Sequence, residues 1–408
     1  RAYPEAMATV PARRSIMSGR RIFPFRHYRR RPDLNSTPGW EPIADLANTF
    51  PAVLRRSGYW TAYVTDNPFL GFTRSFHGFR TTFDRFEKVR GQVWTGTAPA
   101  PVSEETLHHW LPPDVRTPYA LKRVGNYLGS TGNGLDETQS CAARTYTAAA
   151  RMLDEARMHE PFALVVDSYD PHEPWTPARR YLDLYGDPAY QGAEPATARY
   201  MRTRDYTSER LVRRMRQVYS AEVTQTDHWL GVFLERFHAL GLDQSTVILL
   251  LSDHGFLLGE YGWTGKIASM LHPELIHVPF VIVDPARRRA GQSSSYFAST
   301  HDVGPTLLSM AGVLAPETMQ GVDLSPLLAG GRPPRRRYAY GGYANDFYVR
   351  TDRWAMMSDN RPLGRKLFDL HRDPHERRNV AREHEHLLDE LYHVVVERTG
   401  GRLPFYRD

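Results

Sequence analysis

Cysteine, lysine and long apolar runs are scarce in this 408-residue sequence, and each scarcity excludes something. The single cysteine, Cys141, rules out an internal disulfide, so nothing calls for an oxidising compartment and a cytoplasmic location is the expectation. No apolar run is long enough to span a bilayer, and no signal peptide is visible, although the first residue is Arg1 rather than Met. Of 52 basic residues only Lys88, Lys122, Lys266 and Lys366 are lysine, so each lysine stands out. The net charge of +6 includes the runs Arg29–Arg31 and Arg335–Arg337. Both lie in Pro-rich sequence without interleaved aromatics, which reads as solvated surface and gives no reason to expect a nucleic-acid partner. A hydrophobic content of 41% suits a large core, in one big domain with a smaller one beside it.

The stretch that organises the rest is Ser245 to Gly255. Its apolar run, Ser245 to Leu251, reads as a strand buried on both faces of a parallel sheet, or as a buried helical segment, which periodicity alone does not separate. Asp253, His254 and Gly255 follow at once. Loops beyond strand ends carry the chemistry of open α/β sheets. An adjacent carboxylate and imidazole there are either a cap and a surface histidine or ligands for a divalent metal.

Four further positions share that character. Thr9 is placed to cap a helix that carries Pro11 in its first turn and stops at Gly19, and Arg13 follows on the same face. A hydroxyl and a guanidinium at a helix N-terminus suit a bound anion. Asn67 and His172 each follow a predicted strand, Trp60–Thr65 and 161–167, with His172 in the Pro-braced segment 168–175. Lys266 sits in a Gly-flanked loop, either solvated or holding an anion as a point charge.

Strands expected at 60–65, 161–167, 245–251 and 277–284 alternate with helices at 45–57, 136–157, 207–240 and 302–311. The fold class is therefore α/β: a large, mostly parallel sheet flanked by helices. Residues 70–135 give little periodic signal and read as an excursion over the rim of the site. Cys141 falls inside a helix as a small buried residue rather than a reactive thiol. A Pro/Arg-rich boundary at 330–337 separates a catalytic domain, 1–330, from a small C-terminal α+β subdomain, 335–408. That tail is expected to hold strands at 338–343, 347–357 and 365–370 and a helix from about residue 383 to 398.

Taken in order, these residues resemble the sulfatase family of the alkaline-phosphatase superfamily. Thr9-Val-Pro-Ala-Arg13 with Ser18-Gly19-Arg20 is similar to the Cys/Ser-x-Pro-x-Arg signature and its downstream Thr-Gly-Arg. Ser252-Asp-His-Gly255 resembles the metal-binding segment, Asp170-Pro-His-Glu-Pro-Trp175 the Pro-His-x-Pro loop, and Gly265-Lys266 the ester-contacting lysine. Leu367-Phe-Asp-Leu370, Asp373-Pro374, Glu376 and Asn379-Val380 resemble the family's C-terminal pattern. The matches span nearly the whole chain.

The resemblance implies a hydrolase of sulfate or of phosphate and phosphonate esters, acting on a small anionic substrate. It makes Thr9 the nucleophile and Arg13, His172 and Lys266 catalytic. Asn67 would contact the ester, and Asp253 and His254 would hold one divalent metal that also meets Thr9. Calcium or magnesium fits the sulfatase analogy; manganese or zinc fits the threonine and the imidazole. Two departures qualify this. Thr9 stands where sulfatases carry the Cys or Ser matured to formylglycine, so no formylglycine is expected and the chemistry tilts toward phosphoester or phosphonate substrates. Only eight residues precede Thr9. The family's first strand, with its metal-binding carboxylates, is therefore expected to lie outside this sequence. A phosphoryl-group transferase of the Thr-nucleophile branch and a non-catalytic anion-binding relative are the alternatives.

Overall fold

A computed structural model describes the chain except residues 29–36, 69–77, 90–99, 135, 188–189 and 407–408. The run Arg29–Arg31 lies outside the described residues. The fold is α/β, with parallel strands and flanking helices. It divides into two compact units: residues 1–57, 244–257 and 266–408 form the first, and 58–243 with 258–265 the second. The segment 330–337, expected as a boundary, falls inside the first unit.

The second unit is built on a three-stranded parallel sheet with Trp60–Thr65 in the middle, Arg85–Lys88 on one side and Phe162–Asp167 on the other. The register sets Thr65 against Asp167, so the two strands end side by side and release their following residues at one edge. Helix Cys141–Ala156 covers the sheet. Its Ala148, Ala149 and Met152 share one face at helical spacing and pack on Ala62 and Val64. Two alanines at that contact let helix and sheet approach closely. The 31-residue helix Glu209–Ala239, capped by Ser208, packs against the same helix. Ser140 is the cap that starts the covering helix, accepting from the Ala143 N–H, so Cys141 opens it rather than lying in its middle. Within the 70–135 excursion the described residues include helices Glu104–Trp110 and Pro118–Ser130, capped by Ser103 and Thr117.

In the first unit, strands Ala339–Tyr343, Asp346–Arg350, Trp354–Asp359 and Lys366–Asp369 form an antiparallel meander, and Ala6–Met7 joins its edge in parallel. The strand expected at 347–357 is thus two strands, because the chain turns at Thr351–Arg353, where Thr351 Oγ1 accepts the Trp354 N–H. Alternation sorts the sheet faces. Phe347 and Val349 point to helix Glu385–Arg398 and its Leu388, Leu391 and Val395, whereas Tyr348 packs with Tyr3, Met7 and Phe368. The run 245–251 forms a strand only over Ile248–Leu251, and it pairs antiparallel with Phe280–Val283 rather than within a parallel sheet. An apolar run carries no information about the direction of its neighbour. Nor is the strand buried on both faces: Leu250, Val281 and Val283 are exposed.

Arg336 likewise departs from the solvated reading of its run. Its guanidinium forks onto Asp302, which also accepts the Ser299 and Val322 N–H groups and is fully buried. No helix among the described residues is long and apolar enough to cross a membrane.

Candidate functional site

Helix Thr9–Ser18 ends at Gly19, whose φ of 62° is the left-handed conformation that glycine adopts without strain. Ala8 rather than Thr9 is its N-cap, and no side chain caps it, so Thr9 is the first helical residue and its hydroxyl is not spent on capping. Pro11 is tolerated because N–H groups of a first turn have no intrahelical acceptor. Thr9 and Arg13 are both buried, at 3% and 8% exposure, and lie one turn apart. Arg13 Nη1 donates to the Thr9 carbonyl at 3.1 Å and to Asp253 Oδ2 at 2.6 Å. One nitrogen thus ties the start of this helix to a carboxylate 240 positions along the chain.

Asp253 and His254 follow strand Ile248–Leu251, and their loop is held by backbone contacts. Gly255 N–H donates to the Leu275 carbonyl at 2.8 Å and Phe256 N–H to that of Glu274 at 3.1 Å. A Cβ on residue 255 would meet the Glu274 carbonyl oxygen at 2.0 Å, so this crossing requires glycine. Asp253 Oδ1 accepts the His254 N–H at 2.9 Å. His254 Nδ1 lies 2.9 Å from the Gly255 carbonyl. A carbonyl only accepts, so Nδ1 carries the proton and Nε2 the lone pair. Nε2 is buried without a hydrogen-bond partner, 3.6 Å from Asp253 Oδ2.

The electrostatics fix the protonation of both groups. Burial alone would raise the Asp253 carboxyl, but the neighbouring His254 and the Arg13 guanidinium, with Lys266 adding to them, hold it well below the usual carboxylate range. Burial lowers the His254 imidazole, Asp253 opposes that, and Lys266 reinforces it. At neutral pH the pair is therefore a carboxylate beside a neutral imidazole with an orphaned nitrogen. That donor set fits a divalent cation.

Asn67 and His172 belong to the second unit. Asn67 is buried, its N–H donating to Thr65 Oγ1 at 2.9 Å and its carbonyl accepting the Lys88 ammonium. The His172 ring stacks on Tyr169 with centroids 4.2 Å apart. Its Nδ1 is 2.8 Å from the Glu173 carbonyl, 3.2 Å from Glu173 Oε2 and 3.2 Å from the Arg123 guanidinium. Glu173 is itself held by Arg123 at 3.1 Å and by the Tyr200 hydroxyl at 2.6 Å. This bracing of His172 was not anticipated from the sequence.

The sulfatase family profile matches residues 1–313, about three quarters of the chain. The chain belongs to the sulfatase family. A second profile, the C-terminal region of N-sulphoglucosamine sulphohydrolase, matches residues 259–398. Among relatives, this sulfatase-family chain is similar to a choline-sulfatase of Rhizobium meliloti, with 28% identity over 417 residues covering 93% of this chain and 74% of that protein. It is 26% identical to an arylsulfatase of Clostridium perfringens over 271 residues, covering 61% of this chain and 56% of the relative. It therefore spans little more than half the arylsulfatase's length. The fold is similar to that of a phosphonate monoester hydrolase of Agrobacterium radiobacter, with a TM-score of 0.69, 19% identity, and coverage of 97% of this chain and 87% of that one.

One group of residues in this sulfatase-family chain had no sequence signal. Asp66, Cys141 and Asp170, all buried, bring ligand-type atoms within 4.8 Å of one another. Burial raises the Asp66 carboxyl to about 6 and the Asp170 carboxyl and the Cys141 thiol well above their ordinary values. Glu222, also buried, is raised to about 8 for the same reason. Positions 66, 141 and 170 have no local spacing to betray them; only folding gathers them, from beyond two paired strand ends and from the start of a helix.

Proposed function

We propose that this chain hydrolyses sulfate esters, with phosphate and phosphonate esters as the nearest alternative substrates, using Thr9 as nucleophile and a divalent metal held by Asp253 and His254. The observation that carries the reading is the Arg13 nitrogen shared between the Thr9 carbonyl and Asp253 Oδ2. It sets the turn bearing the hydroxyl beside the carboxylate–imidazole pair. When bound there, a divalent cation would polarise an ester oxygen and favour the alkoxide form of a hydroxyl.

The chain's own residues do the rest. Arg13 and Lys266 supply fixed positive charge for the oxygens of the tetrahedral anion, where charge accumulates during displacement. The Thr9 oxygen forms a bond to sulfur or phosphorus as the alcohol leaves. Water then cleaves the Thr9 ester, restoring the hydroxyl and releasing sulfate, or a phosphate monoester or phosphonate from the phosphorus substrates. Burial of Thr9 and Arg13 excludes bulk water, which would screen those charges. The names of the relatives favour sulfate esters, and the threonine favours the phosphorus substrates.

The test is a panel of an aryl sulfate, a phosphate diester and a phosphonate monoester, with metal added to chelator-treated protein. Metal-dependent turnover of at least one ester is expected, with a loss of about 10³-fold in Thr9→Ala. Undiminished turnover in Thr9→Ala would remove the nucleophile assignment. Turnover that persists in chelator would remove the metal.

A further inference from the structure

The second unit contains a buried side-chain cluster that the ester chemistry above does not use. Asp66 follows strand Trp60–Thr65, Asp170 lies three residues past strand Phe162–Asp167, and Cys141 opens the covering helix. Exposure is 0%, 5% and 0% respectively, and a carboxylate oxygen from each aspartate and the sulfur lie within 4.8 Å of one another. Each carboxylate is oriented by one oxygen and unpaired at the other. Asp66 Oδ1 accepts the Tyr169 N–H at 2.7 Å, and Asp170 Oδ2 accepts the Ala142 N–H at 2.8 Å. Asp66 Oδ2 and Asp170 Oδ1 are buried with no partner among the described residues. Glu222 repeats the pattern, with Oε2 on the Thr176 N–H at 3.0 Å and Oε1 unpaired.

A buried carboxylate oxygen without a partner costs on the order of 1–3 kcal/mol or more, so two of them in one buried cluster with a thiol need an explanation. The charges facing the cluster do not balance. Lys88 acts on Asp66, Asp167 and Cys141 and Arg144 acts on Cys141, two cations against the four carboxyl groups of Asp66, Asp167, Asp170 and Glu222. Asp167 has its own donor in the Tyr63 hydroxyl, at 2.7 Å. Burial answers that excess by raising the Asp66, Asp170 and Glu222 carboxyl groups toward their protonated forms. Backbone N–H groups that fix one oxygen and leave the other free are what orients carboxylate ligands in metal centres. A set of two carboxylates and a thiolate selects a borderline-soft divalent ion over calcium or magnesium.

We propose that Asp66, Cys141 and Asp170 form a binding site for a zinc-type divalent cation, made of none of the residues assigned to ester hydrolysis. On binding, the Cys141 thiol and the Asp170 carboxyl, both held protonated by burial in the metal-free chain, release their protons to solvent, and the sulfur bonds to the metal as thiolate.

Cys141 is the only cysteine, so any sulfur–metal signal reports this site alone. The chelator-treated full chain is titrated with Co²⁺ and followed by near-ultraviolet absorption. A thiolate-to-cobalt charge-transfer band is expected to saturate at one equivalent, to be displaced by Zn²⁺, and to survive Asp253→Asn. It should be lost in Cys141→Ser and in Asp66→Asn. Because a core variant can fail to fold, thermal unfolding of the wild type and of Asp66→Asn is compared with and without Zn²⁺, and only the wild type should gain stability. Absence of the band in the wild type, or its survival in Cys141→Ser, overturns the proposal, as does an equal gain from Zn²⁺ in both proteins. Esterase activity is not a readout, so this proposal and the hydrolase reading fail independently.

Discussion

Replacing Gly255 by alanine tests how tightly the Asp253–His254 loop is located. The added Cβ would sit 2.0 Å from the Glu274 carbonyl oxygen, 3.0 Å from its carbonyl carbon and 3.4 Å from the Leu275 Cα. All three are backbone atoms, so no side chain can turn aside. Reaching ordinary contact requires more than about 1 Å of relative movement. That strains the Gly255 and Phe256 N–H bonds to Leu275 and Glu274. Overpacking of this kind costs about 1–3 kcal/mol. Displacement by about 1 Å at a reacting group costs on the order of 10²-fold in rate. Urea unfolding and kcat/KM on the best ester of the panel measure the two effects. Gly231→Ala is the control: it lies in helix Glu209–Ala239, with nothing within 4 Å of the position its Cβ would take. That variant should gain up to about 1 kcal/mol and keep full activity. A Gly255→Ala protein as stable and as active as the wild type would refute the account of the loop.

Two further predictions concern buried charge in the first unit. Glu376 joins Arg350 and His272, and all three are buried. Glu376→Ala leaves the Arg350 guanidinium without its anion and should lower unfolding stability by about 3–5 kcal/mol in urea titration; a change below about 1 kcal/mol would show the pair to be dispensable. Glu5 is fully buried, and burial raises its carboxyl to about 7 against an ordinary 4.5, with Arg21 opposing. Between those values the folded chain holds a proton that the unfolded chain has released. Its contribution is therefore complete below 4.5 and lost as pH rises to about 7, at about 1.4 kcal/mol per unit. Glu5→Gln should flatten the stability profile across that window, and an unchanged slope would contradict the assignment.

What was legible in the sequence was local. Helix Glu209–Ala239 and strand Phe162–Asp167 could be read because recurring apolar positions and a continuous apolar run, like a capping residue, are signals carried within a few residues. The same kind of signal was present and overlooked at Ser103 and at Thr117-Pro118, which cap two helices in a stretch whose glycines and aromatics suggested only loop. Pairing partners were not legible. Ile248–Leu251 gave its strand but not the antiparallel direction of Phe280–Val283 beside it. Of the site, the Asp253–His254 dipeptide and the Thr9–Arg13 turn could be named from composition and spacing. The Arg13 bridge between them, and the Glu173–Arg123 bracing of His172, depend on folding and leave no trace in spacing.

The carboxylate of Asp302 acts as a knot in the first unit. Ser299, Val322 and Arg336 converge on it from three separate lengths of chain. A nick or a short insertion between residues 311 and 321 would leave all three strands of that knot tied. Ending the polypeptide at residue 330 would instead remove the guanidinium and strand a fully buried anion. For anyone dividing this chain for expression, the Arg-rich stretch at 335–337 is thus a fastening, and a cut has to leave it on the same piece as Asp302.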